Sequence, residues 1–147
     1  MISQLSIFIE NKPGALEQVL RLFKEAKIDL VTTTLADTQD FGLLRVICAD
    51  PQKACLVLKE NGITVTLRKI LAIELDNTPG MAADALQTFA SDEMNVKYMY
   101  SFLLGGKGIL VFRTDNFEKA QEIIKNKGFK EIDDETLMEL QPHPSRP

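Results

Sequence analysis

The chain has one histidine and two cysteines in 147 residues. His143 lies among prolines near the C-terminus, and without a second histidine there is no Ser-His or Cys-His pair to activate a nucleophile. Cys48 and Cys55 fit neither a zinc-ligand pattern nor a Cys-x-x-Cys redox motif, so we interpret both as small core hydrophobes. From this inventory we expect a protein that is not an enzyme and that uses no metal or cofactor.

Long apolar runs and basic stretches are also missing. No apolar run approaches the ~18–20 residues that cross a bilayer, and the N-terminus lacks the charged and apolar regions of a signal peptide. We therefore expect a cytoplasmic protein with no membrane partner. The net charge is −4 and no basic stripe is present, which argues against nucleic acid as a partner.

What the chain does have is an internal repeat. Asn11-Lys12-Pro13-Gly14 and Asn77-Thr78-Pro79-Gly80 lie 66 positions apart, each after an apolar run and before a helical pattern. The same offset aligns Leu5 with Leu71, Ile7 with Ile73, Leu20 with Leu86, Phe23 with Phe89, Gly42 with Gly108, Leu44 with Leu110, Lys53-Ala54 with Lys119-Ala120, and Gly62 with Gly128. A register shared along the whole unit predicts two copies of one module, residues 1–68 and 69–140, followed by a flexible tail at 141–147.

Hydrophobic periodicity predicts the element order β-α-β-β-α-β in each copy. In copy one the strands are Ile2–Glu10, Lys27–Leu35, Phe41–Ala49 and Ile63–Leu67. The first helix has Pro13 in its first turn. The second helix is capped by Asp50 and has the apolar stripe Ala54, Leu56, Val57 and Leu58. In copy two the elements are Lys69–Asp76, Pro79–Ser91, Asn95–Leu104, Gly108–Thr114, Asn116–Asn126 and a last strand within Phe129–Leu140. This order predicts an α+β fold class: two ferredoxin-like β-α-β-β-α-β modules, with antiparallel sheets and helices on one face.

Two segments superficially resemble catalytic motifs. Gly105-Gly106-Lys107-Gly108 lacks the glycine spacing, the Ser or Thr and the following helix of a phosphate loop, and predicts a hairpin turn instead. The acidic run Asp133-Asp134-Glu135 predicts a solvated turn, not a tuned acid–base pair. Neither segment changes the expectation of a protein without catalytic activity.

The loop after each first strand is the candidate site. Proline has no N–H and glycine allows close approach, so the following helix offers free N–H groups to a carboxylate. These belong to Gly14, Ala15 and Leu16 in copy one, and to Gly80, Met81 and Ala82 in copy two. The Asn side chain both donates and accepts, which suits a zwitterion. The alternative is that Asn-x-Pro-Gly only turns the chain, with Asn capping the helix.

At these residues the chain resembles the ACT domain, a small regulatory module, and the resemblance covers essentially residues 1–140. It rests on the element order, on Asn11-Lys12-Pro13-Gly14-Ala15-Leu16 and on Asn77-Thr78-Pro79-Gly80-Met81. The resemblance implies a site for an amino acid or related small ligand where two modules meet. It also implies association with a metabolic enzyme or regulator. No such domain is visible in this sequence, so we expect a free-standing tandem pair.

The resemblance further implies that the start of the second strand in the facing module completes each site, usually with Asn. That position is Asp29 in copy one and Asn95 in copy two. One site would then combine the Asn11 loop with Asn95, and the other the Asn77 loop with Asp29. Asp29 departs from the family pattern, because a carboxylate grips an ammonium group but repels the carboxylate of the ligand. Both positions would otherwise serve only to cap a turn.

The sequence therefore predicts an amino-acid-binding regulatory protein whose partner is an unidentified metabolic enzyme or regulator. The chain would be either a monomer with an internal pseudo-twofold or a homodimer of such chains. The rival prediction is a ligand-free protein-interaction module of the same fold, since fold alone does not determine function. The identity of the ligand lies beyond the sequence.

Overall fold

The computed structural model describes residues 1–37, 40–76 and 78–141. Its strands are β1 (Ile2–Glu10), β2 (Leu30–Asp37), β3 (Phe41–Cys48), β4 (Val65–Leu75), β5 (Val96–Leu104) and β6 (Lys107–Thr114). Its helices are α1 (Ala15–Glu25), α2 (Pro51–Glu60), α3 (Met81–Ser91), α4 (Phe117–Asn126) and α5 (Asp134–Leu140). Contacts divide the chain into a first module, Ser3–Lys69, and a second module, Met1–Ile2 together with the chain from Ile70 onward.

Each module is built on an antiparallel sheet. In the first module β3 lies between β1 and β2, and β4 lies beside β1. In the second module β6 lies between β4 and β5, with Ile73 opposite Leu110 and Ser101 opposite the same residue. β4 supplies its first residues to one sheet and its last residues to the other. The predicted fold class, α+β with two ferredoxin-like modules, is confirmed.

The core of the first module lies between its sheet and helices α1 and α2. Alternate residues of β1 and β3 point into it, and the helices add one apolar stripe each; the buried members include Leu5, Ile7, Ile9, Val19, Phe23, Leu44, Val46, Ala54 and Leu58. Each large side chain buried in this way stabilises the fold by about 1.5–3 kcal/mol. The predicted stripe of α2 is wrong at Leu56, which is 58% exposed because Ala54 and Leu58 alone set the buried side of the helix.

The core of the second module repeats the first with larger aromatic side chains. Leu71, Ile73, Ala85, Leu110 and Ala120 take the positions expected from the repeat. Phe89 is fully buried, and its ring lies 4.9 Å from that of Phe112 and 5.8 Å from that of Phe129, centroid to centroid. Each module therefore buries a core of its own.

The second module is also buried on the face of its sheet that points away from α3 and α4. Seven residues outside the main cluster are buried there: Ile2, Ile70, Ala72, Ile109, Val111, Ile132 and Leu137. α5 follows directly on Ile132, whose N–H donates to Ala72 O at 2.9 Å, and it ends at the β5–β6 turn, where Leu140 lies against Gly105. α5 therefore crosses this back face of the second sheet.

The predicted last strand within Phe129–Leu140 is wrong for most of its length. Pairing with β4 is reduced to a bridge between Glu131 and Ile73 and to two backbone hydrogen bonds beside it. The acidic run predicted as a turn starts a helix, because Asp133 Oδ1 accepts a hydrogen bond from Thr136 N at 2.7 Å. That carboxylate is held charged by the bond, which lowers the pKa of Asp133.

Several predicted boundaries differ from the structure, among them two helix starts and one strand start. Pro13 and Pro79 lie in turns before α1 and α3 and not in their first turns, since the helices begin after Gly14 and Gly80. β2 begins at Leu30 and not at Lys27, because Lys27 adopts φ +58° in the turn that closes α1. The hairpin through Gly105 and Gly106 is confirmed, with φ +57° and +76° as a type I′ turn requires.

Some predictions fall outside the described residues. These concern Asn77 and the tail with His143. Within the described ranges, none of the five helices combines the length and the apolar character needed to traverse a bilayer.

Candidate functional site

The loop between β1 and α1 ends in a glycine that no other residue replaces without strain. Gly14 is the N-cap of α1 and has φ +84°, in the left-handed region that L side chains avoid. Residues 11–14 are exposed, and an added Cβ on Gly14 would meet open space. The N-terminus of α1 is therefore open to solvent.

The loop between β4 and α3 has the same geometry. Gly80 is the N-cap of α3, has φ +89°, and likewise faces open space. The two turns contain equivalent backbone hydrogen bonds. In the first, Lys12 N donates to Glu10 O and Ala15 N donates to Lys12 O. In the second, Thr78 N donates to Asp76 O and Met81 N donates to Thr78 O. The repeat seen in the sequence is thus a repeat of backbone conformation.

These two helices differ from the other three in how they begin. The N-terminus of α2 is capped by Asp50, that of α4 by Asn116 and that of α5 by Asp133, each through a side-chain oxygen that accepts a backbone N–H. In the part of the chain that the structure describes, α1 and α3 have no side-chain cap. The alternative that Asn11 caps its helix is therefore not what the structure shows.

At the start of each helix, the backbone N–H groups that lack an acceptor extend one residue further along the chain than the sequence predicts. Ala15 N and Met81 N were expected to be available, yet both close the preceding turn at 3.3 Å. Since Gly14 is the N-cap, Leu16 and Glu17 carry the next N–H groups without an intrahelical acceptor. In α3 these are Ala82 and Ala83. Glu17 and Ala83 were missed because Pro13 and Pro79 were placed inside the helices.

The side chain of Asn11 is exposed beside this helix start, and so is Lys12. Lys12 Nζ pairs with Glu10 Oε2 at 2.9 Å, and both side chains are more than half exposed, so the pair adds little stability. Leu16 is half-buried at the edge of the first core. The Asn11 loop thus presents an amide, a cation and two backbone donors on one exposed surface.

Asp29 and Asn95 occupy the turns that lead into β2 and β5. Asp29 O accepts from Ala49 N at 2.9 Å, and Asn95 O accepts from Asp115 N at 3.2 Å. Asn95 N also donates to Asp115 Oδ1 at 3.3 Å. Both residues are exposed, and these hydrogen bonds involve their backbone atoms.

Within one module the two halves of the predicted site lie at opposite ends of the sheet. Glu10, next to Asn11, pairs with Phe41 at the start of β3, whereas Asp29 bonds to Ala49 just beyond its end. The eight residues of β3 therefore separate them, by roughly 20–25 Å. Within one module, Asn11 and Asp29 are therefore too far apart to contact the same small ligand.

An ion-pair cluster stands next to the second loop. Glu74 Oε1 lies 3.0 Å from Lys107 Nζ and Glu74 Oε2 lies 3.0 Å from Lys130 Nζ, and the Glu74 side chain is only 12% exposed. Hydrogen bonds from the two ammonium groups lower the pKa of Glu74. The cluster ties the start of β6 and the segment after α4 to β4, so it supports the loop without facing it.

Metal binding has no support in the described ranges. Residues 1–37, 40–76 and 78–141 contain no group of three or more His, Cys, Asp or Glu side chains placed to hold a metal ion. Cys48 is buried and Cys55 half-buried against the first core, and neither forms a disulfide.

Comparison with known proteins adds the family to this geometry. The family described as an ACT domain pair matches residues 1–141. The crystal structure of protein BT0572 from Bacteroides thetaiotaomicron is 34% identical, with a TM-score of 0.86 over 95% of this chain and 96% of that one. No curated protein matches the sequence.

More distant structures share the fold. The ligand-free regulatory subunit of aspartate kinase from Thermus thermophilus is 18% identical, with a TM-score of 0.57 over 84% of this chain and 91% of that one. The corresponding subunit from Thermus flavus is 19% identical, with the same TM-score, over 84% and 88%. The duplicated loops, the two modules and the match across both of them make this chain a member of the ACT domain pair family.

Proposed function

We propose that this protein is a regulatory sensor that binds a free amino acid or a related small carboxylate, in the cytoplasm, on behalf of a metabolic enzyme or regulator. The ligand carboxylate would lie against the N–H groups at the start of α1 or α3. Its ammonium group would meet Asn95 or Asp29 from a facing module. The ligand regulates only if it binds one arrangement of the protein better than another.

The observation that carries this proposal is the selective absence of caps. The chain uses Asp50, Asn116 and Asp133 to cap three helices, yet it starts α1 and α3 with glycine at φ above +80°, and among the described residues no side chain caps these two N-termini. A glycine N-cap is only a few tenths of a kcal/mol less stabilising than a capping side chain, so the open N-termini cost the fold little. An anion bound there restores the missing interaction and meets the positive end of the helix dipole.

Family membership supports the regulatory part of the proposal. The structures that share the fold include regulatory subunits of aspartate kinase, an enzyme acting on an amino acid. Their identity to this chain is below 20%, so the likeness supports the architecture and leaves the ligand open.

The first experiment is thermal unfolding of the full chain with each common amino acid at millimolar concentration. A ligand at ~100 times its dissociation constant adds roughly 2.7 kcal/mol, which raises the unfolding temperature by roughly 5 °C for a chain of this size. We expect a rise with one amino acid or a small chemically related group. A flat response across the panel would contradict the sensor proposal and favour a ligand-free interaction module.

A matched pair of variants tests the loop. Gly14→Ala imposes at least as much backbone strain at φ +84° as Gly14→Asp, but only Gly14→Asp adds a negative charge where the carboxylate should lie. We expect Gly14→Ala to keep most of the ligand-induced shift and Gly14→Asp to lose it. Equal ligand affinity in the two variants would exclude the Asn11 loop as the carboxylate site.

A further inference from the structure

Strand β5 lies at the outer edge of the sheet of the second module. It is hydrogen-bonded to β6 on one side, and no other strand in the described part of the chain pairs with it. The backbone N–H and C=O groups along its second side therefore point away from the sheet. Another extended strand matches such a row of donors and acceptors in shape.

Apolar side chains stand beside this free edge. Met99 and Leu103 are 38% and 62% exposed, and Ser101 between them is also exposed. Ser101 is paired with Leu110, a residue of the second core, so Ser101 and its two neighbours lie on the helix side of the sheet. Because all three remain exposed, helices α3 and α4 do not cover the sheet as far as β5.

The edge also lacks the features that keep edge strands from pairing. Soluble proteins protect a free edge with charge, proline, a bulge or a very short strand. β5 is nine residues long, and its register shift lies at its start, between Val96 and Tyr98. The seven residues from Tyr98 to Leu104, which we name the uncharged stretch, include neither a charged residue nor proline. An apolar edge of this kind calls for a partner strand.

We propose that β5 pairs with β5 of a second copy of this chain, antiparallel and about a twofold axis at Ser101. Ser101 would then face Ser101 of the second copy, and Met99 would face Leu103 of the second copy on the helix side of the sheet. The uncharged stretch is centred on Ser101, so each of its residues meets another residue of the same stretch.

The positions of the charges select this register. Directly opposite residues of two antiparallel strands lie on the same face of the sheet, so the axis has to pass through a residue. An axis at Tyr100 would place Lys97 opposite the apolar Leu103, whereas the axis at Ser101 places Lys97 opposite Gly105, beyond the end of the strand.

The other edge strand shows why the second copy pairs through β5. β2 lies at the edge of the first sheet and has an equally long uncharged segment, Leu30–Ala36. Asp29 and Asp37 bound that segment, and antiparallel pairing centred on Thr33 would place these carboxylates opposite each other. Like charges directly opposite destabilise a sheet, so self-pairing is disfavoured at β2 and favoured at β5.

The expected dimer is weak and reversible. Seven strand residues extend for about 23 Å, which is short for an interface when a stable dimer buries roughly 800 Å² on each partner. The pairing uses no residue of the Asn11 or Asn77 loop, so it does not depend on the ligand site.

The test is sedimentation velocity of the full chain from low to high micromolar concentration. We expect wild-type protein to shift from monomer towards dimer, and Ser101→Lys to weaken the dimer at least about tenfold, because two like charges then meet at the axis. Leu35→Lys is the matched control and should change nothing. Leu35 is an exposed apolar side chain at the equivalent position of β2, paired with Leu44 as Ser101 is with Leu110.

Exchange of charge at the axis makes the outcome decisive. Ser101→Glu alone should also be monomeric, whereas an equimolar mixture of Ser101→Lys and Ser101→Glu should dimerise again, since opposite charges face each other. Unfolding temperatures show whether each variant is folded, and the exposed Leu103 provides Leu103→Lys as a second test of the same edge. Wild-type protein that stays monomeric, or a dimer that survives Ser101→Lys or Leu103→Lys, would overturn the proposal. A mixture that stays monomeric would overturn the pairing at Ser101.

Discussion

Gly42 and Gly108 are equivalent by sequence but not by surroundings. A Cβ on Gly108 would lie 2.9 Å from Leu75 O, a backbone atom that cannot move aside. A Cβ on Gly42 would lie 3.1 Å from Leu35 Cδ1, the end of a flexible and half-exposed side chain. Close contact with backbone is costly, whereas a surface leucine changes rotamer easily.

We therefore predict that Gly108→Ala lowers the free energy of unfolding by about 1–3 kcal/mol and Gly42→Ala by less than about 1 kcal/mol. Urea unfolding followed by circular dichroism measures both. Equal losses in the two variants would mean that β6 relaxes away from Leu75, contrary to the tight register seen here.

Glu74 gives the second module a pH dependence of known sign. Its folded pKa lies below the ordinary value of 4.5, so its stabilising effect is complete above that pH and is lost as the pH falls further. We predict that Glu74→Gln destabilises the protein at pH 7 by about 1 kcal/mol and that the difference from wild type shrinks below pH 4.5. Unfolding curves at several pH values test this. Glu10→Gln, which removes the exposed pair with Lys12, should change little at any pH.

At the scale of the element, one lysine in each module joins two helices through a hydrogen bond. Lys53 Nζ donates to Ala26 O at 2.9 Å and Lys119 Nζ to Asp92 O at 2.7 Å, so each lysine of α2 or α4 satisfies the C-terminus of α1 or α3. A cation at a helix C-terminus also meets the negative end of the dipole. The sequence repeat aligns Lys53-Ala54 with Lys119-Ala120, but it does not indicate that these lysines bond to helix C-termini.

We predict that Lys119→Met lowers the free energy of unfolding by about 1 kcal/mol, because a carbonyl loses a charged donor. Lys53→Met should behave in the same way. The exposed Lys97 on β5 supplies the control, and Lys97→Met should have no measurable effect. If all three variants are equally stable in thermal unfolding, the lysine bonds contribute nothing in solution.

Elements whose signals are local were predictable from the sequence. β1 has the predicted ends, and Asp50 caps α2 as predicted, because a cap depends on a side chain only three residues away from the N–H that it binds. α5 was mistaken for a strand, since its apolar residues suit either period and only packing on the back of the sheet decides between them. The uncapped start of α1 was visible in Pro13-Gly14, but the position of its free N–H groups depends on φ at Gly14 and needed the structure.

At the scale of the whole molecule, duplication supplies two loops whose chemistry is not identical. The Asn11 loop has Lys12 beside it where the second loop has Thr78, and Asp29 stands where the other copy has Asn95. The sequence identifies these residues as candidates because loop chemistry is local, whereas the packing of distant segments is not encoded in a local pattern. Two non-equivalent sites per chain follow from the proposed function.

We predict that calorimetric titration with the amino acid found in the panel resolves two sites of unequal affinity per chain. Gly14→Asp and Asn95→Ala should remove the same one, and Gly80→Asp the other, because the proposed function assigns Asn95 to the site of the Asn11 loop. A single class of sites in the wild-type protein, or loss of both sites in Asn95→Ala, would contradict this assignment.

Burial of the back face of the second sheet affects local unfolding of strand β6. Ile109, Leu110, Val111 and Phe112 of β6 are all fully buried, so this strand is shielded on both faces and hydrogen-bonded on both edges. In β3 of the first module only the end of the strand from Leu44 onward is shielded in this way, and not at every residue. The amide hydrogens of β6 should then be the last to exchange with solvent. The part of the protein that opens most slowly would lie in the second module, and the first module would keep more of the mobility that recognition requires.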